Sequence, residues 1–237
     1  MSVSVEVYRE RGATAERWVE EHWANERTCA VVVAREAGAV VGSVGVVDLG
    51  AEDPDLRFVG LVDGSLDVRA PLLRAAAPVV REAGGRTLRW VEEGGELPLA
   101  VAAALEELGA VAGDEVYRWW RRELAATLPD APMSRPAERP TTEGAPFRVA
   151  VGDAWCDVEV EGDRAVLAHN RQEEGTSEAL AALVSMAVRR VSGEHAGVRV
   201  VETFVAPEDE VYETALVSLG FAPTTRRAVE YHMALPG

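Results

Sequence analysis

His169 ends an apolar run over residues 164–169, directly before the loop Arg171-Gln-Glu-Glu-Gly175-Thr-Ser177 and a long Ala/Leu/Val stretch. An imidazole with a reference pKa of about 6.5 can take a proton from a nucleophile near neutrality. A strand-end histidine held by a structural hydrogen bond is the plainer alternative. Glu159, Glu173 and Glu174 are further candidate bases, and each also reads as a solvated carboxylate. Tyr212, on a later apolar stretch, could act as a general acid or simply pack against its neighbours. Thr176 or Ser177 can cap the helix that follows the loop, with Glu178 near its positive end.

Composition removes several other chemistries. The two cysteines, Cys29 and Cys156, form no CxxC pair, and the four histidines lie far apart, so a structural zinc site is not expected. The same sparing use of cysteine points to a reduced, cytoplasmic setting, although one disulfide between the halves stays open. All 24 basic residues are arginine, against 40 acidic ones, for a net charge of −16. With no lysine, Schiff-base catalysis and a phosphate-loop lysine are excluded. The absence of lysine and isoleucine also reads as the product of a GC-rich genome. An acidic field of this size repels nucleic acid and anionic lipid and attracts cations. No apolar run approaches the roughly 20 residues that cross a bilayer, and no signal peptide is visible. Neither nucleic acid nor a membrane is therefore expected as partner, and the field would attract a cationic substrate or partner.

The elements that must position these residues follow from periodicity. Alternation predicts a strand over 3–8, and helical spacing predicts a helix over 13–24 carrying Trp18, His22 and Trp23. A hairpin over 29–36 and 40–49 turns at Ala37-Gly38. Residues 57–66 read as a strand interrupted by Asp63-Gly64. Pro71 opens a helix over 71–82 that Gly84-Gly85 stops, and Pro78 within it predicts a kink. A strand over 87–91, a helix over 97–108 and a strand over 116–124 complete a first domain, residues 1–126. Residues 127–146 carry five prolines and no periodicity, the composition of a semi-rigid linker. The second domain, 147–237, repeats the plan: a meander over 147–151, 155–161 and 164–169, then a helix over 177–191 with Leu180, Val184, Ala187, Val188 and Val191 as its stripe. A strand over 198–205, a helix over 209–219 and a strand over 226–235 follow. Trp119 and Trp120 alternate faces; one suits the core, and the other could line a groove or an interface, so a homodimer stays open. The acidic stretches 92–96 and 208–210 read as exposed loops, with recruitment of a cationic acceptor as the alternative.

Certain residues recur in the two halves. Leu105-Glu-Glu-Leu-Gly109-Ala110 is echoed by Leu216-Val-Ser-Leu-Gly220-Phe221. Together with the element order, Leu219-Gly220-Phe221 resembles the C-terminal LGF signature of the GCN5-related N-acetyltransferase (GNAT) superfamily. Arg35-Glu-Ala-Gly-Ala-Val-Val-Gly42-Ser-Val-Gly45 is similar to that family's second hairpin. Arg171–Ser177 stands where the family has Q/R-x-x-G-x-G/A. The whole chain resembles tandem members of the superfamily, and the fold this implies is α/β (α+β). It would contain two GNAT-like units, each a mixed, mostly antiparallel sheet flanked by helices.

The resemblance implies acetyl-CoA or another acyl-CoA as co-substrate and a small amine as acceptor, and the acidic field would suit a cationic one. A loop opening a helix offers unpaired N–H groups and a positive dipole to a pyrophosphate. Gln172, Gly175, Thr176 and Ser177 would form that cradle, with Gly175 allowing close backbone approach. The pantetheine arm would run along Val166, Leu167 and Ala168 to His169. In the first half the corresponding segment, 63–70, lacks the glycine spacing and carries Asp63 and Asp67, so poor binding is expected there. The family's catalytic tyrosine is replaced by Leu105 and Leu216, and Tyr212 lies one turn before Leu216. These departures keep a second reading open: a degenerate GNAT-fold protein that binds a ligand or partner without acyl transfer. Aminoacyl-tRNA-dependent transfer, a third reading, conflicts with the charge of −16.

Overall fold

The computed structural model describes residues 3–12, 16–94, 97–124, 147–151, 154–170 and 176–235. The linker expected over 127–146 and the loop residues Gln172 and Gly175 lie outside them. The chain divides into two compact units, Met1–Val116 with Ala228–Gly237, and Tyr117–Arg227.

The first unit contains β1 (Val3–Tyr8), α1 (Arg17–Trp23), β2 (Thr28–Glu36), β3 (Ala39–Asp48) and β4 (Phe58–Gly64). A single 3-10 turn, Leu66–Val68, leads into α2 (Arg69–Glu82), then β5 (Thr87–Gly94), α3 (Leu99–Glu107) and the start of β6 (Ala110–Glu123). Strands β1 to β4 pair as successive antiparallel neighbours, and β5 joins β4 in parallel. The second unit takes the end of β6 and adds β7 (Phe147–Val151), β8 (Ala154–Glu161), β9 (Arg164–Asn170), α4 (Ser177–Glu194), β10 (Val200–Val205), α5 (Glu210–Ser218) and the start of β11 (Ala222–Ala234). Here β7, β8 and β9 are antiparallel, β10 joins β9 in parallel, and β6 lies antiparallel on β10. The strand pairing within each unit is mixed and mostly antiparallel, as the element order predicts, but the strands belong to one 11-stranded sheet rather than to two separate ones.

The limits of the units depart from the sequence reading of 1–126 and 147–237. The last strand, β11, ends beside β5 in the first unit, and β6 ends beside β10 in the second. Each half of the sequence thus supplies a strand to the other unit. Tyr231 stacks on Trp90 with ring centroids 5.7 Å apart, and Met233 and Leu235 join Phe58, Leu73 and Leu88 in the first core. The Leu235 N–H donates to the Arg86 carbonyl at 2.7 Å. Strand β6 also begins six residues before the expected 116, directly after Gly109. Its opening residues are largely exposed and show no apolar alternation to read.

The repeated Leu-Gly pair is a helix stop. Gly109 and Gly220 take φ of +75° and +77°, the left-handed conformation that glycine adopts without penalty. Their N–H groups return to Glu106 and Val217 at 2.8 and 3.0 Å. On α4 the residues Leu180, Leu183, Val184, Ala187, Val188 and Val191 are buried at helical spacing, which seats the helix on the strands of the second unit. Helix α2 starts two residues before Pro71 and runs on with Pro78 inside it.

Because the strands are exchanged, the first unit should not fold from its own half of the sequence. The 1–126 fragment is expected to show no cooperative thermal transition. A chain ending at Arg227 should lose the transition of the first unit and keep that of the second, as read by calorimetry and near-UV circular dichroism.

Candidate active site

In each unit one pair of parallel strands parts. In the first, β4 and β5 pair only from Phe58↔Leu88 to Gly60↔Trp90, although both strands continue for four residues. Strand β4 stays with β3 as far as Gly42↔Gly64, so it is β5 that leaves. In the second, β9 and β10 pair from Arg164↔Val200 to Leu167↔Thr203. Beyond that rung β9 keeps β8 as far as Asn170, and β10 keeps β6 as far as Val205. Parting strands leave backbone groups without ladder partners, and such groups must be met some other way.

The first unit meets them with charge. Arg69, the first residue of α2, is 7% exposed and Glu92, on β5, is 5% exposed. Arg69 Nη1 donates to the Asp63 carbonyl of β4 at 3.1 Å, and its Nε lies 2.9 Å from Glu92 Oε1. Trp90 Nε1 donates to the same carboxylate at 3.0 Å. The pair therefore bridges the two strands just where their ladder has stopped. Burial drives the Glu92 carboxyl above the usual range, against the opposing pull of the Arg69 charge. The sequence reading placed Glu92 in an exposed acidic loop. It is instead the third buried residue of the alternation Leu88, Trp90, Glu92, and that period was the signal available.

The loop before α2 has no cradle to offer. The Gly64 N–H donates to Asp63 Oδ1, that of Ser65 to the Val41 carbonyl, and that of Asp67 to Ser65 Oγ. Val68 and Arg69 N–H return to Ser65 and Leu66 carbonyls. A Cβ on Gly64 would lie 2.4 Å from Gly42 Cα, so the loop is pressed against β3.

The second unit meets its parting with hydroxyls. Thr203 and Tyr212 are 0% and 1% exposed. Thr203 Oγ1 donates to the Leu167 carbonyl at 3.0 Å and lies 3.0 Å from Tyr212 Oη. Two residues beyond the last rung, where the first unit has Glu92, the second has buried Val205. No ion pair bridges this gap among the described residues.

The structure thus brings Tyr212 to Leu167, with Val166 one rung earlier and Ala168 the first residue past the ladder. Asp209 caps α5 by accepting the Tyr212 N–H at 3.1 Å, which fixes the turn that carries the tyrosine. Leu216 and Leu105, at the family's tyrosine positions, are buried in their cores. Thr176 caps α4, its Oγ1 accepting the Ala179 N–H at 3.2 Å, and Ser177 is the first helical residue. His169 pairs with Cys156 through β9, and its side chain, like Gln172, Gly175, Glu173 and Glu174, is outside the described residues. Thr203 was not singled out by sequence reading, because a threonine in a strand carries no signal of its own.

Other reactive groups are structural. Burial pushes the Cys156 thiol up to about 12 and raises that of Cys29, and both are free cysteines. Neither is a thiolate nucleophile near neutrality. His22 Nε2 lies 2.8 Å from Ser43 Oγ, but Ser43 is fully buried, so the contact ties α1 to β3. No group of metal-ligating residues is found among the described residues, and none of their helices is long and apolar enough to cross a membrane.

No protein-family model matches the chain, and no curated protein matches it. Solved structures do. The chain is similar to a tandem GNAT protein from the clavulanic acid biosynthesis pathway, solved without AcCoA, at 14% identity over 99% of both chains with a TM-score of 0.65. It is also similar to a GCN5-related N-acetyltransferase from Sphaerobacter thermophilus, at 14% identity over 96% of this chain and 88% of that one, TM-score 0.49. A GCN5-related N-acetyltransferase from Kribbella flavida gives 15% identity over 86% and 90%, TM-score 0.49. The likeness to the tandem protein shows the fold: two GNAT units in one chain.

The Arg69–Glu92 bridge can be tested directly. Removing one partner, as in Arg69→Met or Glu92→Leu, leaves a buried charge uncompensated and should cost about 3–5 kcal/mol. The double variant Arg69→Met with Glu92→Leu should return to wild-type stability or exceed it, by up to roughly 1–4 kcal/mol. Urea titration of the three variants checks the sign reversal.

Proposed function

We propose that the chain is an acyl-CoA-dependent N-acyltransferase, with acetyl-CoA as the expected donor, and that its coenzyme site lies in the second unit. The observation that carries this reading is the contrast between the two partings. The first is bridged by Arg69 and Glu92, and the loop N–H groups of Gly64, Ser65, Asp67, Val68 and Arg69 are already bonded. The second has no bridging ion pair among the described residues, and the side chains buried beside it, Thr203, Val205 and Tyr212, carry no charge that would oppose an uncharged amide arm.

The coenzyme would supply a thioester activated toward an amine. Val166, Leu167 and Ala168 would hold its arm along β9, where the strand has lost β10. Gln172, Gly175, Thr176 and Ser177 would receive the pyrophosphate at the start of α4, an 18-residue helix whose dipole favours an anion there. Thr176 already uses its hydroxyl to cap the helix, so it would contribute backbone rather than side chain. With both thiols protonated, direct attack by the amine is favoured over an acyl-enzyme route. His169 is the proposed base, and the charge of −16 favours a small cationic acceptor. A second reading, a GNAT-fold protein that binds without transferring, is favoured by the burial of Leu105 and Leu216 at the tyrosine positions.

Isothermal titration with acetyl-CoA should give one site per chain. Gly175→Trp should abolish binding while the thermal transition stays in place, and the double variant Arg69→Met with Glu92→Leu should leave the stoichiometry at one. Two sites per chain, or unchanged affinity in Gly175→Trp, would reject the assignment. His169→Ala should lower the maximal rate at least about 10²-fold and remove an inflection near neutral pH. Coenzyme binding without turnover on a broad amine panel would favour the second reading.

A further inference from the structure

The hydroxyl pair at the second parting is more ordered than simple burial requires. The Thr203 hydroxyl has one proton, and the Leu167 oxygen, 3.0 Å away, can only accept. The proton therefore lies toward Leu167. Tyr212 Oη, 3.0 Å from Thr203 Oγ1, is then the donor in the second bond. The chain reads Tyr212 to Thr203 to Leu167, and it ends on the last residue of β9 that still pairs with β10. A valine at 203 would preserve the strand and the packing and would remove the relay.

We propose that Thr203 is a positioning residue that holds the Tyr212 hydroxyl at the opening of this gap and stabilises its phenolate. The proposal rests on reading the second unit as the acyl-CoA unit. In the transfer, the amine nitrogen forms a bond to the acyl carbon and the carbon–sulfur bond breaks, its electron pair leaving on sulfur. Tyr212 turns its O–H from the Thr203 oxygen to that sulfur and gives up the proton. Thr203 then turns its own O–H from the Leu167 oxygen to the Tyr212 oxygen. A hydrogen bond to an ionised acceptor is roughly twice as strong as one between neutral groups, so the turn is favourable. The proton released by the amine, carried by a base or water, restores Tyr212, and Thr203 returns to Leu167. Net, one proton moves from nitrogen to sulfur.

Two measurements test this. The first needs no coenzyme: alkaline titration of tyrosine absorbance, with Tyr212 isolated as the difference between each protein and its Tyr212→Phe partner. Thr203→Val should move the Tyr212 titration to higher pH, and Thr203→Ser should bring it back. The second is kinetic. Thr203→Val should lower kcat about ten-fold, with KM for acetyl-CoA little changed. That is less than the roughly 10²–10⁴-fold of full acid–base help, because a thiolate leaves with only partial protonation. Thr203→Ser should recover most of the rate, and Thr203→Val with Tyr212→Phe should be no slower than Tyr212→Phe alone. An unmoved Tyr212 titration in Thr203→Val overturns the proposal whether or not the protein turns over, and so do kinetic losses that multiply in the double variant. Failure of the wild type to bind acetyl-CoA overturns the acyltransferase reading instead, while the titration still decides the coupling of Thr203 to Tyr212.

Discussion

Two parallel strands that stop pairing inside a folded protein create an obligation. Their N–H and C=O groups, matched in a ladder, face each other across a gap from which water is largely shut out. Leaving such groups unmet costs a large share of a small protein's net stability. Everything distinctive in this chain follows from how each half discharges that obligation. The first half does it with a guanidinium and a carboxylate that reach across and close the gap. The second does it with a single threonine hydroxyl on the last carbonyl, and leaves the remainder to β8, β6 and whatever enters.

The two solutions have different consequences. A buried ion pair is costly to assemble, because both charges lose water, and costly to break, because either one alone is stranded. Burial pushes the Glu92 carboxyl up although Arg69 and Trp90 pull the other way. Such a gap is locked and cannot admit an amide arm without expelling the pair. Hydroxyls are cheaper. They satisfy the backbone without a field of their own, and a hydroxyl can reverse its donor role as charge appears nearby. The two units thus meet the same parting of strands with different side chains, an ion pair in one and hydroxyls in the other.

The exchange of strands removes the independence of the halves. Each unit's set of strands is finished by a strand encoded in the other half, and the first core depends on Tyr231, Met233 and Leu235 from the end of the chain. A change in either half of the sequence is therefore felt in the fold of both units.

The sequence by itself determined what depends on near neighbours. The stripe on α4, the Thr176 cap, the Leu-Gly stops of α3 and α5, and the order of elements that marks two GNAT-like units all rest on residues within a few positions of one another. Their periods of about 3.6 and 2 survive in any context. Likewise the want of glycine spacing at 63–70 was legible, and the structure adds that the N–H groups of Gly64, Ser65, Asp67, Val68 and Arg69 there are already bonded. Tertiary structure decided what depends on distant partners. The exposed openings of β6 and β11 carry no alternation, so their lengths and their crossing between units were not legible. Glu92 is apolar in neighbourhood and acidic in type, and only the arrival of Arg69, 23 residues away, makes its burial tolerable. Thr203 and Tyr212 look unremarkable as letters; only the packing of β10 on β9 and of α5 on β10 places the Thr203 hydroxyl on the Leu167 carbonyl and the Tyr212 hydroxyl on Thr203. Pairing across a sheet is chosen by total burial and hydrogen bonding of the folded chain, which no local window contains.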